Sequence, residues 1–509
     1  MSDRRGRVFL VGAGPGAFDL ITLRGAECLR QAECVIYDYL VNPDLLQLAP
    51  PGAELIFAGK KGGREKSIDQ ASLNALLIER ARKGRRVVRL KGGDPFIFGR
   101  GGEEAEALAR AGIGFEVVPG ITSAIAAPAF AGIPLTHRKL GSYVAFVTGH
   151  ESGRGARVPW KELARAARSG GTIVLLMATA RMRASLASLV RAGLRATTPA
   201  AAVQWGTTAS QRTVVGTVAT LARRCAAENI GAPTIVTVGE SVNLREHLQW
   251  FEKLPLFGRR IVVTRSREQG AVLARELRAL GADAIEFPTI ETIHPASFAA
   301  IDEAIDGIDR FDWIIFTSAT GVDAFVARLK VLRRDIRSIG RASICAIGPA
   351  TAVRLEQYAL QVAAVPREYR AESIIPAIGS ERIRGARILI PRAQVAREVL
   401  PEMLRERGAS EVVVAPAYRT VKPKGAAVER LRELIKARQI DLVTFTSSST
   451  VSNFCDLVGK ARGLKAGAIG PITAETARER GFDVAVCPEK FTVPALIEAI
   501  SAHFARASQ

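Results

Sequence analysis

The sequence predicts an α/β protein with largely parallel sheets and more than one domain. Short runs rich in β-branched residues alternate with stretches of helical periodicity almost throughout the chain, which is the pattern of strands joined by helices. The chain has 509 residues, whereas a single hydrophobic core stops growing at about 250 to 300 residues. The second half also contains an internal duplication, which indicates two similar lobes there.

The strands come in order along the first half, with helical periodicity at 72–83 and 103–111. They are predicted at 7–11, 33–37, 86–90, 143–148 and 172–177. Pro255 and Gly258 then interrupt the pattern before a new strand at 260–264. We therefore predict one domain over 1–250, a linker over 251–258 and a second region over 259–509.

The duplication consists of three strand-and-turn segments that recur in the same order. The segments 261–265, 312–318 and 347–351 are echoed by 388–392, 441–447 and 469–473. Two similar α/β lobes follow from this repeat, and the crevice between such lobes is the expected ligand site.

Charge and composition restrict the class of partner. The chain has 71 Lys and Arg against 50 Asp and Glu, a formal charge of +21, within the 48% apolar composition of a globular protein. Such a field predicts polyanionic partners. Nucleic acid is disfavoured because aromatic residues make up only 6% and do not interleave with basic clusters.

Other signals place the protein in the cytoplasm. No apolar stretch reaches the roughly 18 residues that span a bilayer, so we expect no membrane association. The six cysteines form no CxxC pair, which predicts neither a disulfide framework nor a metal site.

The opening loop allows two interpretations. Gly12, Gly14 and Ala17 satisfy the dinucleotide fingerprint GxGxxA, with Asp38 as a ribose partner, which would make the protein an NAD-dependent oxidoreductase. Pro15 inside the turn and a helix that begins only near Thr22 weaken this alternative, because no helix N-terminus would face the pyrophosphate.

Further glycine-rich segments at 89–104, 118–124 and 132–138 favour another interpretation. Together with the opening loop they closely resemble the uroporphyrinogen III C-methyltransferase family across about 6–245. The resemblance implies a two-lobed tetrapyrrole methylase-type α/β domain that dimerises with a second copy. It also implies transfer of two methyl groups from S-adenosylmethionine to uroporphyrinogen III to give precorrin-2, with neither metal nor NAD.

Site residues of this half follow from the same resemblance, since glycine loops let a sulfonium centre come close to a carbon nucleophile. The cofactor would lie against Pro15, Gly92, Gly93, Asp94, Ile97, Thr122, Ser123, Met177 and Gly206. Leu176 stands where the family usually has a tyrosine before the methionine.

Three more residues have both a functional and a structural interpretation. Asp38 and Lys60 match the family's proton acceptor and donor, but each also fits a turn-capping carboxylate or a solvated charge, and Lys61 makes the lysine assignment ambiguous by one position. His137 is either a substrate contact or a structural hydrogen-bonding residue.

The region from about 258 to 504 resembles uroporphyrinogen III synthase through short motifs. They are Thr264-Arg265, Phe316-Thr317-Ser318, Gly348-Pro-Ala-Thr351, Pro391-Arg392, Ala417-Tyr418-Arg419-Thr420, Phe445 to Ser449 and Ile469 to Thr473. The family has two parallel α/β, flavodoxin-like lobes. It closes the linear tetrapyrrole hydroxymethylbilane between them and inverts the last ring, ring D, through a spiro intermediate.

The synthase chemistry depends on folding the substrate correctly more than on one strong acid. Tyr418 is the candidate hydrogen-bond donor to the leaving group, although a buried structural tyrosine is the alternative. The remaining candidates would bind substrate carboxylates: Arg265, Thr317, Ser318, Thr351, Arg392, Thr446, Ser447, Ser448 and Thr473. Ordinary helix caps and solvated arginines are the alternative for these.

Taken together, the residues and the two resemblances predict a bifunctional enzyme in which the C-terminal half makes the substrate of the N-terminal half. Both sites would receive small polycarboxylate tetrapyrroles. Siroheme-forming relatives of the family carry an additional N-terminal dehydrogenase and chelatase region. We expect that activity to be absent, because the match begins a few residues into the chain.

Overall fold

The computed structural model describes residues 6–50, 52–59, 68–149, 158–265, 267–366, 371–395, 398–423, 425–459 and 461–506. Within them the chain forms four five-stranded sheets, each with helices between its strands. The α/β prediction is confirmed. No helix in the described ranges is long and apolar enough to cross a bilayer.

The first sheet is entirely parallel and carries the loops of the N-terminal site. Its elements are β1 (Arg7–Gly12), α1 (Leu23–Arg30), β2 (Cys34–Tyr37), β3 (Glu54–Phe57), α2 (Gln70–Arg82), β4 (Arg86–Lys91), α3 (Gly101–Arg110), β5 (Gly114–Val118) and α4 (Ser123–Phe130). The strand order is β3-β2-β4-β1-β5. The central strands are buried on both faces, as their continuous apolar runs predict.

The second sheet is mixed, and only β6 and β7 pair in parallel. Its elements are β6 (Val144–Thr148), α5 (Trp160–Arg168), β7 (Thr172–Leu176), α6 (Met182–Arg191), β8 (Pro199–Gln204), β9 (Arg212–Thr217), α7 (Leu221–Ala227), β10 (Thr234–Val238) and α8 (Arg245–Leu248). The order is β6-β7-β10-β8-β9. The expectation of largely parallel sheets therefore does not extend to this sheet.

The second half of the chain builds the other two sheets. Its elements are β11 (Arg260–Val263), α9 (Arg267–Ala279), β12 (Asp283–Glu286), β13 (Glu291–Ile293), α10 (Ala299–Asp306), β14 (Trp313–Phe316), α11 (Ala319–Val331), β15 (Ser343–Ala346), α12 (Pro349–Gln357), α13 (Ile374–Ile378), α14 (Ser380–Ile383), β16 (Arg387–Ala393), α15 (Val399–Glu406), β17 (Glu411–Val421), α16 (Ala426–Lys436), β18 (Leu442–Phe445), α17 (Ser448–Val458), β19 (Lys465–Ala468), α18 (Pro471–Glu479), β20 (Asp483–Val486) and α19 (Val493–Arg506).

The predicted duplication corresponds to equivalent strands of two lobes. The third sheet has the order β12-β11-β18-β19-β20 and the fourth the order β13-β17-β16-β14-β15. The repeated segments match β11 with β16, β18 with β14 and β19 with β15, which are neighbours in the same order in both sheets. The prediction of two similar lobes is confirmed. Both ends of this half build the third sheet, whereas its middle builds the fourth.

The chain divides into two compact units. One comprises Met1–Phe287, Leu434–Ser448 and Arg462–Gln509 and contains the first three sheets. The other comprises Pro288–Glu433 and Ser449–Ala461 and contains the fourth. The domain limits 1–250 and 259–509, with a linker over 251–258, remain a prediction from the sequence.

Candidate functional site

Three loops of the first sheet meet at the carboxyl ends of β1, β4 and β5. Gly14 and Gly93 exchange two backbone hydrogen bonds, with N–O distances of 3.2 and 2.7 Å. A Cβ atom on Gly12 would lie 2.5 Å from the Cα of Gly120, and one on Gly120 would collide with the carbonyl oxygen of Gly93. The sequence must therefore keep glycine at these close approaches for the three loops to form one surface.

Asp94 ties two of these loops together. One carboxylate oxygen accepts from the backbone N–H groups of Phe96 and Ile97, at 2.8 and 3.1 Å. The other accepts from the N–H of Gly120 at 3.0 Å. Beside them, the Thr122 hydroxyl caps α4 by accepting from Ala124 at 3.3 Å. In the structure, Asp94 and Thr122 hold the shape of the loops.

Two loops of the second sheet carry further candidates, and the loop after β8 contacts the opening loop. Met177 follows β7 with a left-handed backbone (φ 54°) and an exposed side chain, and Gly206 follows β8 in close contact with Ala127 of α4. The backbone N–H of Ala17 donates to the Thr207 hydroxyl at 3.2 Å. The predicted cofactor residues thus lie in loops that follow β1, β4, β5, β7 and β8.

A buried charge cluster lies directly behind these loops. The Arg89 guanidinium donates to Asp38 at 2.6 Å and to Glu104 at 3.2 Å, and the Lys91 ammonium donates to Glu104 at 2.8 Å. Arg89, Lys91 and Glu104 are at most 3% exposed, whereas the Asp38 side chain is 30% exposed. Burial lowers the pKa of Lys91, and the positive charge of Arg89 lowers it further, while Glu104 acts in the opposite direction.

The cluster pairs two cations with two carboxylates, and only Asp38 reaches the surface. Arg89 and Lys91 occupy alternate positions of β4, so both side chains lie on one face of the sheet. Sequence reasoning missed these two residues and Glu104 as a unit. The available signal was two basic residues at alternate positions beside Val87, Val88 and Leu90 of the same strand.

A second polar network supports the loop after β8. The Thr207 N–H donates to Gln211 at 2.9 Å, and Gln211 donates to Glu252 at 2.7 Å. Glu252 also accepts from Thr213 at 2.6 Å and from Arg245 at 2.5 Å. Glu252 lies in the segment predicted as a linker, where sequence reasoning assigned no role.

Of the two remaining candidates of this half, the structure describes His137 but not Lys60. Lys60 and its neighbour Lys61 lie outside the described residues. His137 closes a turn: its N–H donates to Gly141 at 2.9 Å, and its Nδ1 accepts from the N–H of Lys139 at 3.3 Å.

The opening loop does not have the geometry of a dinucleotide-binding turn. It continues into a short 3-10 turn, Phe18–Leu20, and α1 begins only at Leu23. Thr22 caps that helix by accepting from Gly25 at 3.1 Å. A pyrophosphate at the glycines would therefore face no helix N-terminus.

In the fourth sheet, Tyr418 and Ser318 form a hydrogen-bonded pair. Their hydroxyl oxygens are 3.0 Å apart, and the Ser318 hydroxyl accepts from the N–H of Gly321 at 3.0 Å as the cap of α11. Tyr418 is 9% exposed. Because Ser318 already accepts from Gly321, its own proton is suited to donation to Tyr418, which leaves the tyrosine proton for another acceptor.

Three other candidates of this unit lie at the end of a strand or at the start of a helix. Thr317 is half-buried directly after β14, and buried Thr351 lies in the first turn of α12. Arg392, at the end of β16, is 5% exposed and pairs with Glu398. Arg392 is therefore not a solvated arginine, and its assignment to substrate carboxylates stays a prediction.

The third sheet repeats the pattern of hydroxyls at helix starts. Ser448 begins α17, and its hydroxyl lies 2.9 Å from that of Thr476. Thr473 is buried in the first turn of α18, as Thr351 is in α12. Thr446 and Ser447 are half-buried between β18 and α17.

Arg265 follows β11 in the same sheet. It is half-buried, and burial lowers the pKa of its guanidinium. No cluster of metal-ligating side chains occurs among the residues that the structure describes.

Comparisons with known proteins match each half to a family. The model of tetrapyrrole (corrin/porphyrin) methylases matches residues 7–222, and that of uroporphyrinogen-III synthase HemD matches residues 271–498. Porphyrin biosynthesis protein HemD of Ruminiclostridium josui is 36% identical over 496 residues, which cover 97% of each chain. Uroporphyrinogen-III C-methyltransferase of Bacillus subtilis is 39% identical over 367 residues, 72% of this chain and 74% of the relative.

A solved structure is also similar to part of this chain. It is a uroporphyrin-III C-methyl transferase from Thermus thermophilus complexed with S-adenyl homocysteine. It is 37% identical and covers 47% of this chain and 100% of its own, with a TM-score of 0.40.

Proposed function

The chain belongs to the family that joins a tetrapyrrole methylase to a uroporphyrinogen-III synthase, and from this premise we propose that it performs two consecutive reactions. The C-terminal half cyclises hydroxymethylbilane to uroporphyrinogen III with inversion of ring D. The N-terminal half then transfers two methyl groups to that product and forms precorrin-2. The observation that carries the proposal is that both family models match this one chain. A single relative, porphyrin biosynthesis protein HemD, is similar to it over 97% of its length.

S-adenosylmethionine is the methyl donor, and it supplies a methyl group on an electrophilic sulfonium centre. The residues present fit it, because the three loops meet at Gly12, Gly93 and Gly120, and a Cβ atom on Gly12 or Gly120 would collide with the backbone of a neighbouring loop. Such a surface lets backbone carbonyl groups approach a ligand without side chains in between. The loops around Pro15, Gly92 to Ile97, Thr122, Met177 and Gly206 would hold the donor.

Asp38 supports the proton chemistry of this half. Attack on the sulfonium methyl group leaves the pyrrole ring positively charged, and the methylated carbon carries no hydrogen because it already bears a carboxylate side chain. The balancing proton therefore leaves from the ring nitrogen or an adjacent methylene carbon, and a partly exposed carboxylate next to the glycine loops is a suitable acceptor. Arg89 holds one oxygen of Asp38 at 2.6 Å, and Glu104 holds Arg89. Asp38 is thus oriented by a buried cation, and Arg89 and Glu104 act as positioning residues. Lys60 stays the proposed proton donor.

In the synthase half, Tyr418 is the proposed donor to the departing hydroxyl of hydroxymethylbilane. The carbon–oxygen bond breaks and the oxygen leaves as water with the donated proton, while the N–H proton of the same pyrrole ring leaves and restores the phenol. The resulting azafulvene is attacked by the substituted carbon of ring D to form the spiro intermediate. Ser318 orients the phenol by its hydrogen bond. The N-terminal turns of α11 and α12 offer N–H groups and hydroxyls to substrate carboxylates.

The proposal also covers the binding partners of the protein and its location in the cell. A net charge of +21 would attract octacarboxylate tetrapyrroles to both sites and speed their capture at low salt. We also propose a homodimer through the methyltransferase half and a cytoplasmic location.

Product analysis tests the function directly. Purified protein receives hydroxymethylbilane with and without S-adenosylmethionine, and the oxidised products are separated by isomer and methylation state. We expect type III products, methylated only when the donor is present. Unmethylated type I porphyrin alone would contradict both assignments. Type III product that is never methylated would contradict the first half alone.

A further inference from the structure

Arg278, in the last turn of α9, is fixed by the third sheet. Its guanidinium donates to the backbone carbonyl of Ala284 at 2.7 Å and to the carboxylate of Glu286 at 3.0 Å. Both partners lie on β12, within the half that resembles the synthase. The position of the guanidinium is therefore set by its own lobe.

The other side of this guanidinium contacts the first sheet's loops, within the same compact unit. The Cζ atom of Arg278 lies 4.8 Å from the ring centroid of Phe18, and Nη2 lies 4.0 Å from the Asp44 carboxylate. The side chains of Arg278 and Asp44 are only 17% and 12% exposed. A cation–π contact and an ion pair are both stronger where water is largely excluded.

Both contacts lead to the opening loop. Phe18 directly follows Ala17, the last residue of that loop. From Asp44, a backbone N–H donates to the Asn42 side chain at 3.0 Å, and the Asn42 amide donates to the carbonyl of Gly16 at 2.9 Å. Arg278 is thus joined to residues 14–17 by two short routes, one through Phe18 and one through Asp44 and Asn42.

We propose that Arg278, a residue of the synthase half, is a positioning residue of the methyltransferase, because it holds the loop 14–17 in the shape that binds the methyl donor. The inference rests on the proposed function, since it takes this loop as part of the donor site. It makes donor affinity depend on the intact junction between α9 and the first sheet's loops. The synthase reaction itself does not depend on this contact.

The test compares Arg278→Leu with Arg275→Leu in the full chain. Arg275 lies on the same helix, is 73% exposed and pairs with its neighbour Glu276 at 2.9 Å, so its loss leaves the junction unchanged. For Arg278→Leu we expect the Kd of S-adenosylmethionine, measured by titration calorimetry, to rise about five-fold, with the KM for this donor rising in parallel. The kcat of methylation at saturating donor and the cyclisation rate stay at the wild-type values.

A second variant tests the contact between Arg278 and Asp44 without changing any residue of the synthase lobe. Asp44→Asn removes the partner charge without changing any residue of β12, and it should raise the same Kd. The double variant should lose little more than Arg278→Leu alone, because both changes break one interaction. This variant decides the question if Arg278→Leu fails to fold.

Several outcomes would overturn the inference. Wild-type affinity in Asp44→Asn, or in a folded Arg278→Leu, would do so, and so would an equal loss in Arg275→Leu. A failure of the wild-type protein to bind S-adenosylmethionine at all would instead contradict the proposed function.

Discussion

The two halves of the chain build their sites from different material. In the first half, backbone atoms of three loops approach so closely that Gly12 and Gly120 have no room for a side chain, and a buried charge cluster lies behind Asp38. In the second half, hydroxyls such as Ser318 and Thr473 lie at the starts of helices that follow parallel strands. One site depends on close contacts, the other on repeated local geometry.

This difference explains why the sequence indicates the site residues of the first half more clearly than those of the second half. A glycine against another backbone, or a buried arginine between two carboxylates, tolerates few replacements. A hydroxyl at a helix start caps the helix in any protein, so its presence says little about a ligand. Substitutions in the first half should accordingly have larger effects than those in the second.

The largest effect is expected for Asp38→Ala. Loss of the proton acceptor should slow methylation by about 10²- to 10⁴-fold, while cyclisation of hydroxymethylbilane is unchanged. Both rates are measured on the same preparation. Glu106→Ala is the matched control, since this carboxylate is 74% exposed and pairs with Arg110 on the surface of α3. Unchanged methylation in Asp38→Ala would remove this carboxylate from the mechanism.

Gly120→Ala comes next and tests the close approach itself. The added methyl group collides with the Gly93 carbonyl and lies 2.7 Å from the Cα of Gly12, so the loops must separate. A displacement of this kind should reduce methylation by about 100-fold and weaken donor binding. Gly102→Ala is the control, because Gly102 lies in α3 with no atom within 4 Å of the added methyl. Equal activity of the two variants would show that the approach is not needed.

Periodicity and turn chemistry predicted much of the fold and the grouping of the loops. The first strands start and end within a few residues of the predicted limits, because apolar runs in a parallel sheet are continuous. Thr22 was correctly placed at the start of α1, because a threonine before a helical pattern is a capping signal.

What the sequence could not predict depends on contacts between distant residues. The bonds from Arg89 to Asp38 and Glu104 join three different elements, and no local pattern encodes such a meeting. For the same reason the sequence does not predict that the chain leaves the third sheet after β12, builds the fourth sheet and returns at β18. A repeat identifies equivalent strands but not the sheet that each strand joins. The contact of Arg278 with Phe18 is a further example.

The smallest effect on a reaction rate is expected for Tyr418→Phe, because the change removes one hydroxyl and leaves the buried ring in place. Loss of one hydrogen bond to the leaving group should slow cyclisation by about 10-fold and leave methylation of supplied uroporphyrinogen III unchanged. Tyr358→Phe is the matched control, since it removes another tyrosine hydroxyl of the same unit, on a half-buried side chain, and this hydroxyl donates to Asp323 at 2.9 Å. Ser318→Ala should act in the same direction as Tyr418→Phe, and where the serine contributes by orienting the phenol, the double variant should be no slower than Tyr418→Phe alone. Additive losses would mean that Ser318 contacts the substrate independently, and a normal rate in Tyr418→Phe would leave the synthase half with a site made of helix starts alone.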